Sequence, residues 1–219
     1  MGITDAHCHA AGGESRSFLC SPFALPQPPN AVLFHGTHPW CLDGFDADAL
    51  RASLAEDPSA GVGEIGLDRL RDRNITPRMR QIFEAQLEIA AEMGRTVVLH
   101  GAKCWGEVVK TCKSYAGRIP AFLFHGFSRS AGLVPDIVAL NGYISVGPAL
   151  LNDHAVNYRE LAKRIPLDRL LVESDRTMEN ADAVPSVEEI AAFLAMLRGI
   201  PFDALAAALE SNATRFIAI

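Results

Sequence analysis

Short apolar runs alternate with longer amphipathic stretches from one end of this chain to the other. Parallel strands joined by crossover helices produce that texture, because such strands are buried on both faces while each helix buries only a stripe. The pattern predicts strands over 2–9, 31–36, 60–66, 95–100, 120–125, 142–146 and 169–174. Helices are expected near 46–56, 77–93, 104–116, 130–139, 155–165, 186–198 and 202–211. The clearest is 77–93, where Thr76 can cap, Pro77 suits the first turn, Ile82, Leu87, Ile89 and Ala90 form an apolar stripe, and Gly94 ends it. The fold class is therefore α/β, a TIM-like (β/α) barrel. Residues 10–30, crowded with Gly12, Gly13, Pro22, Pro26, Pro28 and Pro29, look too broken for a helix plus a strand, which leaves seven strands where a standard barrel has eight. A doubly wound sheet is the alternative, but no glycine-rich phosphate loop follows the first strand.

A chain of 219 residues suits one core, so residues 1–219 read as a single domain. Composition is ordinary for a globular protein, with 49% hydrophobic and 21% charged residues. The net charge of -6 argues against a broad basic surface for duplex nucleic acid, although bound divalent ions would supply positive charge that no side-chain count includes. Cys8, Cys20, Cys41, Cys104 and Cys112 form an odd set without a CxxC pair, as expected of reduced thiols in a cytoplasmic protein. A charged-then-apolar leader and a bilayer-length apolar run are both lacking, and Ala6 stands where a myristoylation signal needs Ser or Thr.

Chemistry concentrates at the C-terminal ends of the predicted strands, the face where parallel barrels place their active sites. The first strand ends Asp5-Ala6-His7-Cys8-His9, and alternation puts residues 5, 7 and 9 on one side. The third ends in Glu64 among small and apolar neighbours, the fourth in His100, the fifth in His125 and the last in Glu173-Ser174-Asp175. One histidine closing an apolar strand is more often structural than a ligand, but this many metal-capable residues at strand ends point to a shared site. His7, His9, Glu64, His100, His125 and Asp175 exceed what one tetrahedral ion needs, so two divalent ions (Mg, Mn or Zn) are the economical reading, with Glu64 as the bridge. Such a pair would lie roughly 3.5–4 Å apart and generate the nucleophile from water.

In order, these motifs resemble the TatD-like metal-dependent hydrolases, a DNase-containing branch of the amidohydrolase-type barrels. Asp5-Ala6-His7-Cys8-His9 is similar to that family's DxHxH, Gly36-Thr37-His38-Pro39 to its G-x-HP turn, and Gly63-Glu64-Ile65-Gly66-Leu67-Asp68 to its GEIGLD. Gln81 to Ala90 resembles the helix before its strand-end histidine, His125-Gly126-Phe127-Ser128 its H-C-F-S, Glu173-Ser174-Asp175 its E-T-D, and Asn212-Ala213-Thr214-Arg215-Phe216 its closing helix. The resemblance implies that His7 and His9 hold one metal and His100 and His125 the second. Glu64 would join both, and Asp175 would complete the first and orient the attacking water, which makes Glu64 and Asp175 the catalytic pair. It also implies phosphodiester hydrolysis, often removal of nucleotides from a DNA 3' end.

The chain departs from the family on the substrate side. No second strand is expected, Lys103 stands near where the family has an Arg, and Arg176 replaces the Pro after E-T-D. His38, Lys103 and Ser128 are the candidate substrate contacts, with Ser130 as an alternative phosphate donor or helix cap. Trp40 and Trp105 could stack on bases but are expected to pack at the rim or core, and His35 and His154 belong to no motif. The expected substrate is single-stranded DNA or a related nucleotide ester. Amide or lactone hydrolysis on the same site is the alternative, weakened because no lysine ends the fourth strand. A third reading is a catalytically impaired metal-binding barrel serving as an interaction module, and an edge left beside a missing strand would invite a homodimer.

Overall fold

The structure, a computed structural model, describes residues 2–10, 15–20, 29–71, 73–128 and 131–218. Eight strands follow the chain in spatial order and every neighbouring pair is parallel. They are β1 (Asp5–Cys8), β2 (Ser17–Cys20), β3 (Ala31–His35), β4 (Gly61–Asp68), β5 (Val97–Ala102), β6 (Phe122–Phe124), β7 (Gly142–Val146) and β8 (Leu170–Val172). The segment after β8 returns to β1, where Asp175 N donates to His7 O at 3.0 Å and His9 N to Arg176 O at 2.7 Å. These bonds satisfy edge groups that an open sheet would leave unpaired. They also carry Asp175 to the end of β1.

The expectation of seven strands is corrected by β2. Ser17-Phe18-Leu19-Cys20 is fully buried and pairs with both neighbours, Asp5 opposite Ser17 on one side and Ser17 to Cys20 opposite Ala31 to Phe34 on the other. Four residues are too few to display a period. The eight residues separating β1 from β2 are also fewer than the dozen or more that a parallel crossover ordinarily takes. Because β2 fills its place, the open edge invoked for a homodimer does not exist, and the missing strand no longer argues for an impaired module.

Seven α-helices cover the barrel among the described residues: α1 (Ala47–Glu56), α2 (Pro77–Met93), α3 (Trp105–Cys112), α4 (Val134–Ala139), α5 (Val156–Arg164), α6 (Val187–Arg198) and α7 (Phe202–Ile217). Helix α2 forms as its sequence dictates. The Thr76 hydroxyl accepts from Met79 N, and Gly94 stops the helix in the left-handed region at φ 64°, where a Cβ would be strained. Its apolar stripe, including Met79, Phe83, Leu87 and Ala90, is buried against the outside of the barrel. Ser130, weighed as a cap for the next helix, lies outside the described residues.

Two apolar clusters hold the layers together. The larger lies between strands and helices. The smaller fills the barrel, where Phe18, Phe34, Leu123, Tyr143 and Leu171 meet Ala213 and Phe216 of α7. Helix α7 runs six residues beyond its expected end at 211 and seals the N-terminal mouth. Glu210 accepts from Thr4 N just ahead of β1, and Asn212 Nδ2 donates to Leu167 O and Leu170 O at 2.7 Å at the start of β8. The C-terminal ends of the strands lie at the opposite face. No single helix among the described residues is long and apolar enough to cross a membrane.

Candidate metal centre

Five of the chain's seven histidines surround one carboxylate at the C-terminal face. Glu64 is 5% exposed and sits in β4 where the pairing with β5 is irregular; the Gly63–Glu64 peptide bond is cis. Gly66, two residues on, has φ 154°, and a Cβ there would collide with the His100 carbonyl oxygen, so only glycine lets β4 and β5 approach this closely. That approach brings Glu64 Oε1 to 2.6 Å from His100 Nδ1 and 2.5 Å from His125 Nε2. Glu64 Oε2 faces the other way, 3.2 Å from His9 Nε2 and 3.5 Å from His7 Nε2. Asp175, delivered by the closing segment, places Oδ1 3.5 Å from His7 Nε2 and 3.8 Å from His9 Nε2.

The electrostatics are those of a buried anion ringed by imidazoles. Burial would push the Glu64 carboxyl up, yet His125, His7 and His100 hold it well below the usual carboxylate range. Burial disfavours a charged His125, but Glu64 and Glu173 raise its pKa well above the ordinary value. Burial and the neighbouring His125 lower that of His7. For Asp175 burial acts upward and is outweighed by His7, so its pKa is lowered. Among the described residues, His7 Nδ1, His7 Nε2 and His125 Nδ1 are buried without a hydrogen-bond partner, an arrangement that costs free energy unless something else satisfies those nitrogens.

Among the described residues, three sets of donor atoms lie close enough to hold an ion, the atoms of each set within 4.8 Å of one another: His7, His9 and Asp175; His7, Glu64 and His125; and His38, Glu64 and His100. Imidazole and carboxylate donors without thiolates suit Zn, Mn or similar divalent ions. The orphaned ring nitrogens and this donor set fit a metal.

All six residues proposed as ligands from sequence meet here, and His38 joins them with Nε2 3.6 Å from Glu64 Oε1. Burial pushes the His38 imidazole down to about 4, so it is neutral near pH 7. Lys103 is exposed in the turn after β5 at φ 56°, bordering a surface depression with Arg69 and Glu107. Ser128 is exposed, and neither it nor Lys103 bonds to the cluster among the described residues. Trp105 is 3% exposed and packs on Phe124 and Phe127, as its core reading requires. His35, half-buried, and His154, exposed, stand apart from the cluster.

Sequence reasoning missed an outer ring of carboxylates. Asp68 Oδ2 is 2.9 Å from His100 Nε2 and also accepts from Trp40 Nε1 at 2.8 Å. Glu173 accepts from the Ser145 hydroxyl and lies 3.6 Å from His125 Nδ1. Asp5 accepts from Ser174 N at 2.9 Å and from the Ser174 hydroxyl at 2.5 Å, tying β1 to the strand that ends near Asp175. Burial raises the Asp5 carboxyl to about 6. Asp5, Asp68 and Glu173 all sit inside motifs already singled out, and a second carboxylate within four residues of a ligand was the available signal.

The sequence profile of the TatD-related DNases matches residues 23–218. This chain belongs to that family. The match starts after β2, but the metal-dependent hydrolase YcfH of Escherichia coli (strain K12) aligns over 100% of this chain and 97% of its own length at 27% identity, covering His7 and His9 as well. The 3'-5' ssDNA/RNA exonuclease TatD of Edwardsiella piscicida is 28% identical over 64% of this chain and 54% of its own length. In fold, the crystal structure of YjjV, a TatD homologue from Escherichia coli K12, superposes with a TM-score of 0.86 over 99% of this chain and 98% of that one, at 22% identity. The protein is thus a metal-dependent hydrolase of the TatD family, built on the TIM-like barrel that its strand pattern predicts.

Proposed function

We propose that this TatD-family hydrolase is a two-metal phosphodiesterase that removes nucleotides from single-stranded nucleic acid. The observation that carries the reading is the division of labour between the two Glu64 oxygens. Oε2 faces His7, His9 and the Asp175 side, and Oε1 faces His100 and His125. A carboxylate that presents one oxygen to each of two nitrogen-rich sets would join two ions, which supports the reading. His7, His9 and Asp175 would hold one and His100 and His125 the other. Bound divalent ions supply a nucleophile from water near neutral pH and neutralise charge on the attacking and leaving oxygens.

The chain's own groups do the rest. Asp175, whose side chain is 53% exposed beside buried His7, turns Oδ1 toward the histidines and would take the proton of the attacking water at its other carboxylate oxygen. Neutral His38 donates from Nε2 to a phosphate oxygen without adding a charge that would repel the ions. Asp68 accepts from His100 Nε2 and so turns Nδ1 toward Glu64, an outer contact of the sort that fixes the tautomer of a metal-binding histidine. A cavity of about 450 Å³ bordered by His9, His38, Trp40 and Glu64 leads to the centre and is large enough for a nucleotide-sized group.

Purified protein is expected to contain two divalent ions per chain and to shorten single-stranded DNA. Chelation should stop this and Mg, Mn or Zn restore it; degradation that survives exhaustive chelation would refute the reading. Asp68→Ala is expected to weaken binding of the metal by roughly 10–100-fold, because His100 loses the partner that sets its ring. Metal titration of the stripped variant checks this, and unchanged affinity would remove Asp68 from the site.

A further inference from the structure

Trp40 is held in a manner that packing does not explain. Its indole is 51% exposed, yet three polar neighbours fix its orientation. Nε1 donates to Asp68 Oδ2 at 2.8 Å, the His38 ring meets it edge-on at 4.7 Å and 84°, and the Arg71 guanidinium carbon lies 5.7 Å from its centroid. A tryptophan recruited to the core would bury its rings, as Trp105 does at 3% exposure. Here the residue stays half exposed while the polar edge of its ring is anchored, which sets the ring before any ligand arrives and limits the ordering cost of binding.

The anchor leads to the proposed metal centre. The Asp68 oxygen that accepts from Trp40 is also 2.9 Å from His100 Nε2, and His100 Nδ1 is 2.6 Å from Glu64. Trp40 and Glu64 border the same cavity, with the Trp40 and His100 rings 6.2 Å apart. A nucleotide spans such a gap between its phosphate and its base. Arg71, whose backbone N–H is tied to Asp68 at 3.1 Å, makes no ion pair among the described residues and sets a planar cation over one face of the indole.

We infer that Trp40, with Arg71 over one face of its ring, is the base-stacking platform for the nucleotide whose phosphate lies at the Glu64 centre. The inference rests on the phosphodiesterase reading and deepens it. A flat indole accepts the face of any base, so the platform recognises nucleic acid without reading sequence. It takes unpaired bases, because the faces of a paired base are already covered by its neighbours in the duplex.

Two substrates of equal length and charge test this, hexathymidylate and its fully abasic counterpart. Trp40→Ala is expected to raise KM for hexathymidylate roughly tenfold and to leave KM for the abasic oligomer unchanged. Trp40→Phe, which keeps a ring but not the N–H, should retain most of the affinity. Equal losses on both substrates would overturn the inference, since Trp40 would then only steady Asp68 and His100. A second readout is independent of turnover: a cleavage-resistant phosphorothioate hexathymidylate should quench tryptophan fluorescence in the native chain but not in Trp40→Phe, and absence of quenching would also overturn it. If neither oligomer is cleaved, the phosphodiesterase reading fails while quenching still decides the platform.

Discussion

Glu64→Gln is expected to lower kcat/KM on single-stranded DNA by at least about a thousandfold, a barrier increase on the order of 4 kcal/mol. Glutamine has the same shape, so the change removes charge and one acceptor and leaves the packing of β4 intact. In the native site Glu64 is the anion that five histidines face, and its pKa is held down despite burial. Without that charge the two donor sets lose the group between them, and the remaining carboxylate near His7 and His9, Asp175, is half exposed to solvent. Metal content measured beside the kinetics shows how the loss arises. Two ions retained with full activity would sink both the bridge and the mechanism built on it. A variant that keeps one ion and little activity is the expected outcome.

Phe216→Ala is expected to cost about 3–5 kcal/mol of stability, the range for emptying a fully buried aromatic site. Phe216 is 0% exposed and lies 5.5 Å from the Phe18 ring, 6.0 Å from Phe34 and 5.6 Å from Tyr143. It comes from α7, so truncation opens a void where the helix seals the barrel and loosens β2 and β3 together. For a chain of this length each kcal/mol lowers Tm by roughly 2–4 °C, so a fall of roughly 6–20 °C should appear in a thermal melt. A loss below about 1 kcal/mol would mean that α7 does not plug the barrel as the ring contacts indicate. Because the plug is at the end opposite the metal centre, metal affinity below the melting range should be nearly unchanged.

How much of this was legible in the sequence depends on how local each signal is. Helix α2 carries its own instructions in Thr76, Pro77 and Gly94, and it forms within those limits. Strand β2 has none: Ser17-Phe18-Leu19-Cys20 is stabilised by ladders to β1 and β3 that are contributed by residues elsewhere in the chain. Helix α7 outruns its expected end because Asn212, Ala213 and Phe216 are buried by the barrel mouth and the start of β8. Contacts formed only after the sheet curls leave no period to read.

The same division runs through the site. Parallel strands send their C-terminal ends to one face, so His7, Glu64, His100, His125 and Asp175 could be grouped from sequence once each was placed at or near a strand end. Sequence by itself determined the barrel class, the family likeness and the membership of that cluster. Tertiary structure alone decided that His38 and Trp40 enter the same cavity, that Lys103 faces a different depression, and that Asp5, Asp68 and Glu173 support the inner residues. The physical reason is range: alternation along a strand sets which face a residue occupies, whereas a hydrogen bond from one strand end to another depends on how the strands tilt and close.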